Sequence, residues 1–125
     1  MYPDIEIYIY KATPEGILEW LESALGTAVD QGTAKTGLQR FSVTYQDKKL
    51  PIEVFPNAVG KAWTSVWFDT PDTPWKDDIA CATAAAKHLD TEVRCTRGGW
   101  SESQDPDEWV KVLSTGETEE FLWKK

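Results

Sequence analysis

Residues that commonly carry chemistry are scarce in this sequence: one histidine, His88, and two cysteines, Cys81 and Cys95. A catalytic thiolate needs a base within hydrogen-bond reach. Cys81 and His88 fall on one segment of helical character, with backbones about 10 Å apart at a helical rise of ~1.5 Å per residue, too far to act directly. Spacing leaves Cys95 open as a partner of His88, but the expected states are packing thiols and a solvated histidine. A serine triad would also have to use His88, and no Gly-x-Ser-x-Gly context surrounds any serine. A closed zinc site needs four Cys or His ligands, more than the chain has. Asp105, Asp107 and Glu108 lack the order of a calcium-binding loop.

Gly32-Thr33-Ala34-Lys35-Thr36-Gly37 matches the first six positions of a phosphate-binding loop. The motif then requires Lys and Ser or Thr, where Leu38 and Gln39 stand, and the following residues read as a strand rather than a helix. Glu15, Glu19 and Glu22 fall on the outer stripe of a helix and are expected as solvent-facing charges. No catalytic residue, metal site or cofactor is therefore expected.

With 125 residues, 41% apolar and 27% charged, the composition is that of one globular domain spanning 1–125. No apolar run reaches the roughly 20 residues of a membrane span, and Met1-Tyr2-Pro3-Asp4 does not open an export signal, so a cytoplasmic protein with reduced thiols is expected. The net charge is −8, from 21 acids and 13 bases. Most of the imbalance lies in the second half. Such a field repels phosphate backbones, which argues against nucleic acid and favours solubility or a basic partner.

The elements follow from periodicity. Ile5, Ile7 and Ile9 alternate, as in a strand with one buried face, which leaves Tyr8 and Tyr10 on the other. Thr13-Pro14 opens a helix with Ile17, Leu18, Trp20, Leu21, Ala24 and Leu25 at helical spacing. Residues 27–37 read as a loop. Strands at 41–45 and 50–54 form a hairpin, with Pro51 favouring a sheet edge. A turn from Pro56-Asn57 to Gly60 leads to a strand at 63–68. A second helix is expected from about Trp75 to Leu89, opened by Thr73-Pro74, with Trp75, Ile79, Ala82, Ala86 and Leu89 on one face. Thr91–Arg97 reads as a strand, Ser101–Glu108 as an exposed acidic loop, and strands at 109–113 and 119–123 are preferred to a short helix capped at Asp105.

These elements imply an α+β fold: a mainly antiparallel sheet with two helices on one face. The order suggests a β-α-β-β duplication, resting on element order alone. In that respect it resembles the bacterial effector-binding domains of the gyrase-inhibitor type, which would imply a small-molecule pocket; no sequence motif carries the resemblance.

The chain has seven tryptophans, four tyrosines and four phenylalanines. Most belong in a core. Strand parity separates Tyr8, Tyr10, Trp63 and Trp67, with Arg94, on the face away from the helices, a mixture favoured at binding surfaces. These five are the expected ligand-binding residues. The competing arrangement folds the last two strands over that face, using Trp100, Trp109 and Trp123. Full burial of Tyr8, Tyr10, Trp63 and Trp67 would remove the binding reading. The function expected is a non-catalytic binding or regulatory module engaging a protein partner through the aromatic face or acidic loops. The alternatives are a small-molecule effector domain with an aromatic pocket, or an enzyme with an unrecognised site. A basic protein or a small molecule is the expected partner, and neither nucleic acid nor membrane is.

Overall fold

The computed structural model describes residues 4–96 and 108–123. Along the chain run β1 (Ile5–Tyr10), α1 (Pro14–Ala24), β2 (Ala28–Thr33), β3 (Gln39–Tyr45), β4 (Lys48–Val59), β5 (Trp63–Phe68), α2 (Asp78–Leu89), β6 (Val93–Cys95), β7 (Glu108–Val112) and β8 (Thr118–Leu122). The strands form one sheet in the order β2-β3-β4-β5-β1-β6-β7-β8, and each neighbouring pair is antiparallel. Both helices pack on one face, giving the expected α+β fold.

Alternation decides the faces. Ile5, Ile7 and Ile9 join Val43, Leu50, Ile52, Val54, Val66, Phe68, Val93, Val110 and Val112 under the helices. α1 contributes Ile17, Trp20 and Leu21, and Trp20 meets Phe68 edge-on at 6.2 Å between ring centroids. The Thr13 hydroxyl accepts the Gly16 N–H at 3.0 Å, and Pro14 occupies the first turn, where no N–H is needed. α2 presents Cys81, Ala82, Ala85 and Ala86, small enough for its backbone to lie close to the sheet.

Several expectations change. The 27–37 loop contains a strand, β2, at the sheet edge. Its residues 29–33 are all exposed, so it carries no buried alternation to read. Pro51 lies in β4, between β3 and β5, not at an edge. The position tolerates proline because Pro51 lies opposite Asp69, just past the end of β5. There the Asp69 N–H still donates to the Pro51 carbonyl at 3.1 Å, and only the reciprocal bond is missing. Pro56-Asn57 is no turn. It is an irregularity within β4, where the register with β5 shifts between Phe55 and Val59 and Asn57 takes a positive φ of 59°.

α2 begins at Asp78, not near Trp75, because Asp77 caps it by accepting the Ala80 N–H at 2.8 Å. Trp75 nevertheless packs on the same core from the preceding loop, stacked on Trp20 at 5.6 Å. Each half of the chain reads β-α-β-β-β, but the halves enter the sheet differently. β6 goes directly beside β1 at the centre, whereas β2 goes to the far edge. Gly98-Gly99, Trp100, most of the expected acidic loop and the Asp105 cap lie outside the described residues.

Candidate functional site

The face away from the helices is built from the other parity of each strand. Tyr8 and Tyr10 come from β1, Trp63 and Trp67 from β5, Arg94 from β6, Trp109 and Lys111 from β7, and Glu119 and Phe121 from β8, with Trp123 following it. Tyr8 stands opposite Arg94, and Arg94 opposite Lys111, so these three form one row across the sheet.

Arg94 is the centre of the group. Its guanidinium carbon lies 4.3 Å from the ring centroid of Trp63 and 4.6 Å from those of both Phe121 and Trp123. β5 and β8 are four places apart in the sheet, a separation of about 19 Å if the sheet were flat. One guanidinium can touch rings from both only because the sheet curls around this face. The Arg94 Nε–H donates to Glu92 Oε2 at 2.6 Å, which fixes the fork between the rings. Trp123 also meets Trp63 and Trp109, each at 5.1 Å, and Tyr8 meets Trp109 edge-on at 5.3 Å.

The five residues expected from sequence therefore divide. Tyr8, Tyr10, Trp63 and Arg94 come together; Trp67 lies apart, with its indole N–H donating to Asp4 Oδ2 at 2.7 Å. Tyr8 and Trp63 are each 9% exposed, whereas Tyr10 and Trp67 remain half-buried, so the four are not jointly sealed. β7 and β8 do not form a second layer. They continue the same sheet, and its curl carries Trp109, Phe121 and Trp123 onto the cluster. Phe121 was missed by parity reasoning because its strand's neighbours are set by topology.

Burial first, and then the Glu6 carboxylate with which it hydrogen-bonds, push the Tyr8 phenol up to about 12. This hydroxyl stays protonated and acts as a donor, not as a base. On the helix side, burial first, then the charge of Asp78, hold both Cys81 and Cys95 well above the usual thiol range. Neither supplies a thiolate at neutral pH. His88 lies on the outer side of α2, with Nε2 4.0 Å from Glu19 Oε1, away from both cysteines' buried environment. Among the described residues, no group of three or more His, Cys, Asp or Glu side chains is arranged to hold a metal ion.

The chain matches no family model, no curated protein and no solved structure. Its chemistry must therefore be argued from its own surfaces. Among the described residues, no helix is long and apolar enough to cross a membrane.

Proposed function

We propose that this domain is a non-catalytic binding module that engages a protein partner on the sheet face opposite the helices. One observation carries the reading: the helices cover only one face, and the other keeps half-buried rings, with Tyr10, Phe121 and Trp123 in the cluster that holds Arg94, and Trp67 apart from it on the same sheet. Aromatic rings and arginine, held in place before binding, are the side chains that most often dominate protein interfaces, because they bury large area at little cost in conformational entropy. Glu6 borders the rings on the same face, and the net charge of −8 favours a partner with basic groups.

A small-molecule pocket centred on Arg94 is less favoured, because three rings and Glu92 already occupy its guanidinium.

The test compares proteins retained by the native chain, by a far-face variant, Tyr10→Ser with Trp67→Ser, and by a helix-side control, Glu15→Lys. A partner of this face is retained by the native chain and the control, is lost from the far-face variant, and weakens at roughly 0.5 M salt, where exposed charges are screened within a few Å. Retention of the same proteins by all three would sink the reading.

A further inference from the structure

At the other end of the same face, across β2 to β5, the sheet carries a trough of about 480 Å³. The strand register explains it. One row across the sheet is Arg40 opposite Glu53, the next is Ser42 opposite Pro51, and the third is Thr44 opposite Lys49. The middle row is made of short side chains, with Arg40 and Glu53 on one side of it and Lys49 on the other, so Ser42 and Pro51 form a floor between taller walls. Gln31 closes the β2 side and Asp69 the β5 side.

The charges of the lining are not equivalent. Arg40 and Glu53 neutralise one another, with Nε 3.4 Å from Oε1. Lys49 and Asp69 both line the trough, yet among the described residues neither pairs with an opposite charge. Lys49 is on β4 and Asp69 directly follows β5, with Pro51 two residues from Lys49 on the same face and opposite Asp69. A site with one free cation, one free carboxylate and a proline floor between them is complementary to a molecule carrying both signs and an apolar body. A simple anion would meet Asp69, and a simple cation Lys49.

We propose that this trough binds a small zwitterion of the α-amino-acid class, its carboxylate on Lys49, its ammonium on Asp69 and its side chain over Pro51 and Ser42. The volume suits a ligand of this kind with room to spare, within the range of small-molecule sites. The proposal is independent of the aromatic end of the face: it uses none of the residues around Arg94.

The experiment is an amide NMR titration of the full chain with free L-leucine, L-methionine, L-phenylalanine and L-tryptophan. N-acetyl-L-phenylalanine, lacking the ammonium, and L-phenylalaninamide, lacking the carboxylate, serve as single-charge controls. At least one free amino acid is expected to give saturable shifts at amides of 40–53 and 69, in the millimolar range or tighter. Each single-charge analogue should bind about tenfold more weakly, the loss expected for one charge-assisted contact. Lys49→Met and Asp69→Asn, both surface changes, should each weaken binding similarly, and Ser42→Phe should abolish it by filling the floor. The absence of local shifts with all four amino acids at about 10 mM, a concentration above any affinity worth the name of a site, would overturn the proposal. So would equal binding of the single-charge analogues, or binding undiminished in Ser42→Phe.

Discussion

Asp78 stands at the first turn of α2 with its carboxylate buried, close to Asp4, Asp77 and Glu6. Burial first, opposed by the Glu6 backbone N–H at 3.4 Å and reinforced by the neighbouring acids, raises its pKa to about 6. The unfolded chain would titrate this group near 4. Between those values the folded state holds more protons than the unfolded one, so this group's effect on stability is neutral below about pH 4 and becomes destabilising as pH rises through about 6. Asp78→Asn keeps an oxygen to accept the Glu6 N–H and removes the charge. The melting temperature of the variant, minus that of the native chain, should therefore grow from pH 4 to about 6.5 and then level off. A difference constant across this range would show that Asp78 titrates normally. Arg94 makes the opposite case, a charge well provided for. Replacing it with Met removes contacts to three rings and the Glu92 bond, and should cost about 1–3 kcal/mol in urea unfolding. Glu92→Gln should cost less, since the rings still hold the guanidinium.

At the scale of elements, the β3–β4 hairpin turns on Gln46-Asp47, both in the left-handed region at φ 50° and 65°. A two-residue turn with both centres at positive φ favours Asn-Gly, so Gln46→Asn with Asp47→Gly should raise stability by about 0.5–1 kcal/mol in the same unfolding measurement. What the sequence made legible were elements with one buried face. β1, α1 and the β3–β4 hairpin each show apolar residues at the period of their geometry, and their placement agrees with the structure. β2 has almost no buried face, so its pairing with β3 leaves no mark on hydrophobicity. Trp75 fitted the helical spacing of Ile79 and Ala82 while belonging to a loop, because a core accepts a ring from any backbone that can reach it. In the candidate site, parity put Tyr8, Tyr10, Trp63 and Arg94 on one face. The convergence of Phe121 and Trp123 on Arg94 depends on strand order and curl, which period-2 patterning does not encode.

The molecule as a whole is an open sheet, and its two edges are protected by different means. On β2, the Ala28 N–H donates to Glu22 Oε2 at 3.1 Å and the Gly32 N–H to Asp30 Oδ1 at 2.7 Å, so side chains occupy donors that could otherwise recruit another strand. On β8, exposed Glu119 and Glu120 repel a second copy. Each edge also holds a well-exposed apolar side chain, Val29 at 55% and Leu122 at 60%, so the carboxylates are what stand between these strands and self-association. Glu22→Ala with Asp30→Ala should shift sedimentation velocity profiles toward dimers or larger species in a concentration-dependent way, while Val29→Thr in that background should reverse much of the change. Profiles indistinguishable from the native chain would mean that the irregularity in the β2–β3 register between Asp30 and Thr33 suffices alone.

The placement of β1 also governs when the chain can fold. Its six residues precede the other described elements, yet their neighbours are β5, where Ile5 meets Phe68, and β6, where Tyr8 meets Arg94. The middle of the sheet therefore has to wait until β6, ending at Cys95, exists. Meanwhile the β3–β4 hairpin can form from adjacent sequence. Closing the two long loops that bring β1 home should be the slow step, so Ile7→Val is expected to retard refolding less than it accelerates unfolding. During synthesis, β1 is, of the described strands, the one that waits longest for its sheet neighbours.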